Sequence, residues 1–181
     1  MLEIVRTRYP DIDFRLDDCS HLQTVDDGYF DLLISNYVLM DTPDLDETVN
    51  AFHRVLKPNG TAVLIFSHPC FDFGNSESSE DGQQRHFHWD YPYLEGRKRI
   101  DQPWAHFTSE FIWFHRPLSD YFKAFKRAGF IVVDFEEPRI QADKYHLVAD
   151  PSKLNLFKGW PCSVAFKLQK CAIVDLGYSR P

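Results

Sequence analysis

The sequence predicts an α/β domain built around parallel strands. Residues 30–35 and 61–67 are short, mostly apolar runs of the kind found in buried parallel strands. Between them, Leu45, Val49 and Phe52 recur at helical intervals. A strand, a helix and a second strand in this order form a βαβ unit, whose parallel strands are joined by a right-handed crossover.

The ends of the predicted helices carry recognisable signals. Asp44 and Glu47 have the spacing of a capping box, with Asp in place of Ser or Thr. Residues 57–60 (KPNG) predict a tight turn that closes this helix before the second strand. A later helix is predicted over residues 118–128, and Gly129 closes it.

Further elements follow from similar patterns. Apolar and polar residues alternate over residues 12–16, which predicts a half-buried strand, and residues 130–135 and 163–168 predict two more. Residues 1–8 have the pattern of the last turns of a helix. A chain that begins inside a helix favours a sequence truncated at its N-terminus.

Length and composition predict one domain over residues 1–181, with 44% hydrophobic residues. Residues 72–121 are predicted to form a mobile loop followed by an aromatic insertion on the substrate side. The loop, residues 72–84, has four acidic residues, no basic ones and many Ser and Gly. No internal repeat is found.

Charge and cysteine usage exclude several classes of protein. Twenty Lys and Arg against 27 Asp and Glu give a net charge of -7, which disfavours a nucleic-acid partner. No stretch resembles a membrane span or a signal peptide, and the four cysteines lack CxxC spacing, so we expect a cytoplasmic protein with reduced thiols. His86, His88 and Asp90 lack a further ligand pair, and no metal site is predicted.

Polar residues follow the predicted strands, where open α/β sheets bind ligands. Asp18 and Cys19 follow the first strand, Asn36 and Tyr37 the second, and His68 the third. A carboxylate at such a position suits an amino or hydroxyl donor of a ligand. The alternative interpretation is that Asp18 only caps a turn.

Three segments resemble consecutive motifs of the class I S-adenosylmethionine-dependent methyltransferases, in particular their small-molecule type-11 group. They are residues 14–22 (FRLDDCSHL), 30–36 (FDLLISN) and 54–60 (RVLKPNG). Residues 115–121 and 128–130 are also similar to the second half of that family. The resemblance covers residues 1–137 and implies a Rossmann-like class I methyltransferase sheet.

The resemblance implies S-adenosylmethionine as the cofactor and a small molecule as the methyl acceptor. Asp18 matches the acid that accepts a hydrogen bond from the adenine amino group, and Cys19 offers its backbone nitrogen to the ring. The same resemblance implies that Asn36 and Tyr37 lie beside the methionine moiety. Candidates for a general base are Asp41 and His68, which follow predicted strands, and His115 in the aromatic segment.

Two features of the family have no counterpart in this sequence: the glycine-rich turn after strand one and the ribose-binding acid after strand two. Strands one and two of the family would lie between the strand at residues 12–16 and the strand at residues 30–35. Either the strand at residues 12–16 pairs directly with that at residues 30–35, or another chain fills the gap, or the sheet is N-terminally truncated, which we favour. We expect the chain alone to bind the cofactor weakly or not at all, to show little methyl transfer, and to form homo-oligomers through unpaired strand groups.

Two other functions are compatible with these residues. A catalytically inactive remnant of the family would serve as a binding or assembly module, and the missing glycine-rich turn favours it for this chain. Another doubly wound nucleotide-binding protein is the third hypothesis, in which the turn at residues 57–60 matches the family by coincidence.

Overall fold

The structure is a computed structural model that describes residues 2–71, 76–79, 84–103, 108–148 and 154–171, with the backbone alone for residues 155–157. A 3-10 helix spans Ala142–Leu147. In chain order the other elements are α1 (Leu2–Arg8), β1 (Phe30–Asn36), α2 (Leu45–Val55), β2 (Leu56–Ser67), β3 (Ser76–Ser78), β4 (Arg85–Phe87), β5 (Arg97–Asp101), β6 (Phe111–His115), α3 (Leu118–Arg127), β7 (Phe130–Glu136), α4 (Leu154–Gly159) and β8 (Ser163–Lys170).

Four of the strands form one mixed sheet in the order β1-β2-β8-β7. β1 and β2 are parallel, and β8 is antiparallel to both of its neighbours, β2 and β7. The carboxyl ends of β1, β2 and β7 therefore lie at one edge of the sheet, together with the first residue of β8. Two separate hairpins, β3–β4 and β5–β6, complete the strands.

Helices α2 and α3 cover one face of this sheet. Asp44 caps α2 as predicted, because its side chain accepts a hydrogen bond from the backbone N–H of Glu47 at 2.9 Å. The ring of Phe66 from β2 stacks on that of Tyr121 from α3, with centroids 4.3 Å apart. Leu64, Phe66 and Leu168 are fully or almost fully buried under the helices, so the core lies on this side.

The opposite face is much more exposed, which contradicts the prediction that the strand at residues 30–35 is covered on both sides. The side chains of Leu32 and Ile34 are 52% and 65% exposed. β1 is the last strand of the sheet, and none of the described helices buries this face of it. In the part of the chain that the structure describes, no helix has the length and apolar character of a membrane span.

The predicted strand at residues 12–16 is wrong. Residues 13–18 form no ladder with another strand, and Ile12 and Leu16 are 55% and 84% exposed. The alternating pattern is not sufficient to form a strand here, because the backbone of residues 13–18 has no strand beside it to complete its hydrogen bonds. The guanidinium of Arg6 instead donates to the carbonyl oxygen of Phe14 at 2.6 Å.

The expected loop over residues 72–84 is partly wrong. Within it, residues 76–78 form β3, which pairs with β4 in an antiparallel hairpin. The predictions for residues 72–75 and 80–83 lie outside the described residues. The predicted helices and the strands β2, β7 and β8 are confirmed, although β2 begins earlier than expected, at Leu56.

Candidate functional site

The carboxyl edge of the sheet brings together residues that are far apart in the sequence. Tyr37 directly follows β1, and His68 directly follows β2. Glu137 directly follows β7, and Ser163 opens β8.

Asp17 organises the loop that precedes the site. One of its carboxylate oxygens accepts the hydroxyl and the backbone N–H of Thr24 at 2.6 and 2.7 Å. The other accepts the backbone N–H groups of Asp18 and Gln23 at 2.8 and 3.2 Å. These hydrogen bonds, that of the Thr24 hydroxyl first, lower the pKa of Asp17 to about 2. The ionised carboxylate thus closes the loop over residues 17–24.

Asp18 caps the turn that follows it, as the simpler interpretation of the sequence predicted. Its Oδ1 accepts the backbone N–H of Ser20 at 2.8 Å, and this hydrogen bond is the main cause that lowers the pKa of Asp18. The side chain is nevertheless 66% exposed, with its other oxygen 3.6 Å from Nδ1 of His21. The carboxylate is therefore both a turn cap and an accessible hydrogen-bond acceptor.

The Asp18 turn docks beside the segment that follows β1. The hydroxyl groups of Ser20 and Thr48 are 3.3 Å apart, which links the turn to the first helical turns of α2. Burial of the Cys19 thiol raises its pKa, and the nearby carboxylates of Asp18 and Asp41 raise it further. The residues predicted for the adenine end thus lie close to the loop after β1.

Tyr37 turns the chain sharply at the end of β1. Its φ of 54° is in the left-handed region, which is uncommon for a residue with a side chain. Its backbone N–H donates to the carbonyl oxygen of Ile65 at 2.7 Å, and its hydroxyl is hydrogen-bonded to the hydroxyl of Ser163. Tyr37 therefore reaches across the end of β2 to β8, whereas Asn36 is the exposed last residue of β1.

Asp41 lies in the loop that continues from Tyr37. Partial burial raises the pKa of its carboxyl group. The guanidinium of Arg116 holds this loop by donating to the carbonyl oxygens of Thr42 and Pro43 at 2.7 and 2.8 Å. Asp41 thus combines an exposed position with a carboxyl group that binds its proton more tightly than usual.

His68 is buried, and both of its ring nitrogens are engaged. Nδ1 accepts the backbone N–H of Cys70 at 3.1 Å. Nε2 lies 2.7 Å from Oε1 of Glu137, and because Nδ1 is an acceptor, Nε2 carries the proton and donates to the carboxylate. The backbone N–H of His68 donates to the carbonyl oxygen of Cys162 at 3.0 Å.

His115 is buried within the aromatic segment. Its Nε2 donates to the carbonyl oxygen of Tyr93 at 2.8 Å. The rings of Trp89, Tyr91 and Tyr93 surround the imidazole, with centroids 5.3, 5.1 and 5.5 Å away. The aromatic residues here pack around a histidine and fix its position.

Tyr93 connects the two histidines into one network. Its hydroxyl accepts the backbone N–H of Leu118 at 2.8 Å and the thiol of Cys70 at 3.2 Å. Burial, with the contact to Cys70, raises the pKa of Tyr93 to about 12. Cys70 and Tyr93 thus link His68 and His115, and no pattern in the sequence predicted that these two histidines belong to one network.

The site residues fit two ends of an S-adenosylmethionine molecule. An accessible carboxylate at Asp18 suits an amino donor, and Asn36 and Tyr37 stand at the neighbouring strand end. The eight glycines form no GxGxG run, which would let the protein backbone approach the cofactor closely. Among the described residues this donor set suits the adenine and methionine ends, and the sequence has no glycine-rich turn.

Comparison with known proteins bears on the fold and on the first third of the chain. A sequence profile described as a methyltransferase domain matches residues 1–64. A structure of an S-adenosylmethionine-dependent methyltransferase from Mesorhizobium loti superposes with a TM-score of 0.72 at 20% identity, over 93% of this chain and 75% of that one. The chain therefore has the fold of S-adenosylmethionine-dependent methyltransferases. The predicted resemblance and the predicted Rossmann-like fold class are confirmed.

Two further proteins resemble this chain. A protein from Listeria monocytogenes, assigned as an S-adenosylmethionine-dependent methyltransferase, has a TM-score of 0.75 at 17% identity, over 95% of this chain and 76% of its own. Demethylmenaquinone methyltransferase of Chlorobaculum tepidum is 37% identical over 65 residues, 36% of this chain. The match spans 26% of that relative, so the chain covers about a quarter of its length.

Proposed function

We propose that the chain takes part in methyl transfer from S-adenosylmethionine to a small molecule. The observation that supports this most is the docking of the Asp18 turn beside the loop after β1, through the 3.3 Å contact between Ser20 and Thr48. This contact brings the adenine-end residues Asp18 and Cys19 to the same edge as Asn36 and Tyr37. Ligands of open α/β sheets bind at this edge.

When bound, S-adenosylmethionine supplies an electrophilic methyl group on its sulfonium, so the protein has mainly to align the acceptor and to exclude water. Asp18 and Cys19 bind the adenine end, and Asn36 and Tyr37 flank the methionine end. The hydrogen bonds of Asp17 to the backbone of Asp18 and Thr24 preorganise the Asp18 turn for cofactor binding.

Asp41 is the candidate that we propose for removal of a proton from the acceptor. It is exposed, and its raised pKa makes its carboxylate a stronger base than an ordinary aspartate. His68 and His115 are buried, and each donates through Nε2 to an oxygen. We therefore assign both histidines a positioning role.

Methyl transfer by the purified chain tests this proposal. We expect S-adenosylhomocysteine to be released, slowly because the glycine-rich turn is absent, in the presence of a small-molecule acceptor panel. The panel includes demethylmenaquinone, the substrate in the name of the Chlorobaculum relative. Asp41→Asn should reduce turnover with little effect on cofactor binding, whereas the exposed Asp31→Asn serves as the matched control. A folded chain that neither binds S-adenosylhomocysteine in ligand-observed NMR nor forms it would contradict the proposal.

A second candidate function is a non-catalytic assembly module. The exposed Leu32 and Ile34 on the terminal strand β1 favour it, because such strands pair readily with other chains. Light scattering after size exclusion distinguishes the candidates: an assembly module forms a defined oligomer that Ile34→Lys disrupts. A monomer at all concentrations would exclude this second function for the chain by itself.

A further inference from the structure

We propose that Glu137, held by His68, and the aromatic cluster of Phe71, Phe87 and Trp160 form the acceptor subsite. We further infer that this subsite selects a planar aromatic molecule that carries a hydroxyl group. The inference deepens the proposed function and rests on it. Glu137, Phe71 and Trp160 were not expected from the sequence, whereas Phe87 lies in the aromatic segment that was predicted on the substrate side.

The first step is the orientation of the Glu137 carboxylate. The side chain of His68 is 2% exposed, whereas that of Glu137 is 47% exposed. The buried imidazole therefore fixes one carboxylate oxygen from below, at 2.7 Å, and leaves the rest of the carboxylate open to solvent. Among the described residues, His68 is the partner that orients Glu137. A carboxylate held in this way is a preorganised acceptor for a hydroxyl.

The second step is the apolar surface beside it. The ring of Phe71 lies 4.7 Å from that of His68 and 5.4 Å from that of Trp160. Phe87 lies 5.5 Å from Phe71 and 5.1 Å from Trp160, so the three rings form one compact cluster. All three side chains are only partly buried. Aromatic surfaces of this kind pack favourably against a planar aromatic ring.

The third step places this subsite next to the proposed cofactor end. His68 is bonded through its backbone to Cys162, and Tyr37 is bonded through its hydroxyl to Ser163. Because residues 162 and 163 are neighbours in the chain, the His68–Glu137 pair and Tyr37 lie at adjacent points of the same edge. A ligand on Glu137 is thus beside the residue that flanks the methionine moiety.

Together these features define the ligand chemistry. The Glu137 carboxylate would repel an anionic methyl acceptor. A hydroxyl group of the methyl acceptor can donate to this carboxylate, and an aromatic ring of the same molecule can pack on the aromatic cluster. The preferred ligand is therefore neutral, planar and aromatic, with one hydroxyl that donates to Glu137. The neighbouring Glu136 belongs to β7, where it pairs with Ala165 of β8. Its carboxylate is of the same type but lies outside the contact with His68, so Glu136 is the matched control.

Two small probes, 2-naphthol and 2-methoxynaphthalene, test the inference by ligand-observed NMR titration without cofactor. They share the ring system, but only 2-naphthol donates a hydrogen bond. We expect the full chain to bind 2-naphthol about tenfold or more tightly than its methyl ether. In Glu137→Gln the affinity ratio should fall to about one. Nε2–H of His68 would hold the amide oxygen, so the amide NH2 group, which donates, would face the ligand. Glu136→Gln should keep the ratio of the unmodified chain.

Two further variants separate the roles of the partners. Trp160→Ala should weaken both probes alike and leave their ratio unchanged. His68→Gln keeps an amide donor for Glu137 and should preserve the affinity ratio of the two probes. His68→Phe has no donor, so the ratio should fall to about one. Circular dichroism checks that both variants are folded.

An affinity ratio near one in the unmodified chain, a ratio unaffected by Glu137→Gln, or absence of binding by either probe would overturn the inference. Its failure is distinct from failure of the proposed function, which is measured by S-adenosylhomocysteine binding and formation. Cofactor binding with no probe preference would leave methyl transfer standing and remove the subsite.

Discussion

Nε2 of His115 donates a hydrogen bond to the carbonyl oxygen of Tyr93, 2.8 Å away, and this contact fixes the buried imidazole in one tautomer. The bond also joins the last residue of β6 to the irregular segment before β5. A side chain in such a position contributes chiefly to the stability of the aromatic segment.

We therefore expect His115→Ala to lower the free energy of unfolding by about 2–4 kcal/mol, since it leaves a cavity and an unpaired carbonyl group. Urea denaturation followed by tryptophan fluorescence measures this change. The exposed His86 is the matched control, and His86→Ala should change the free energy of unfolding by less than about 0.5 kcal/mol. Equal effects of the two substitutions would show that the Tyr93 contact is not formed in solution.

Asp17 should make the stability depend on pH in the acidic range. Its pKa is lowered from 3.8 to about 2 in the folded chain, so its ionised form stabilises the fold above pH 3.8. This contribution is lost as the pH falls towards about 2. The stability difference between the unmodified chain and Asp17→Asn should thus shrink over this range, as measured by denaturant titrations at several pH values. Asp26→Asn is the matched control, because Asp26 is exposed and lies two residues beyond this loop.

Gly129 ends α3 with a φ of +92°, a backbone conformation that side chains rarely adopt. A Cβ at this position would also lie 3.3 Å from Nε2 of His53. Gly129→Ala is expected to lower the thermal midpoint and cost about 1–2 kcal/mol. At Gly96 the nearest atom to an added Cβ is 3.8 Å away, so Gly96→Ala is the control that calorimetry should find nearly neutral.

Asp18→Ala should weaken binding of S-adenosylhomocysteine about tenfold, because it removes the acceptor proposed for the adenine amino group. The substitution also removes the cap on the Ser20 N–H, so a second variant is needed. Asp18→Ser keeps a turn-capping oxygen and should still bind weakly, whereas Asp26→Ala should bind as the unmodified chain does. Ligand-observed NMR gives all three affinities, and normal binding by Asp18→Ser would assign the carboxylate to the turn alone.

Local signals predicted the parts of the fold that local interactions determine. The Asp44 cap, the apolar pattern of α2 and the glycine after α3 all act within a few residues, and each is found in the structure. The strand at residues 12–16 was wrong because a ladder needs a partner, which an alternating pattern does not supply. β5 was missed because residues 97–101 are mostly charged and show no apolar alternation.

The site was predicted in part for the same reason. Ligands of open α/β sheets bind beyond the carboxyl ends of the strands, and this rule pointed to Asn36, Tyr37 and His68. Applied to β7, the same rule points to Glu137. Tyr93 offered no such signal, because its role depends on Cys70 and His115, each more than twenty residues away along the chain. Contacts between distant segments decide which polar residues are bound to one another.

The terminal position of β1 has a consequence for deuterium uptake. The backbone N–H groups of Tyr29 and Tyr37 donate to the carbonyl oxygens of Val55, the last residue of α2, and Ile65 in β2, at 2.8 and 2.7 Å. In a parallel pair alternate residues face the partner strand, so the amide of Leu33 points to β2, whereas that of Ile34 points outward. Hydrogen exchange followed by NMR or mass spectrometry should therefore show alternating rates along β1, with slow exchange for amides that point to β2 and fast exchange for amides that point outward.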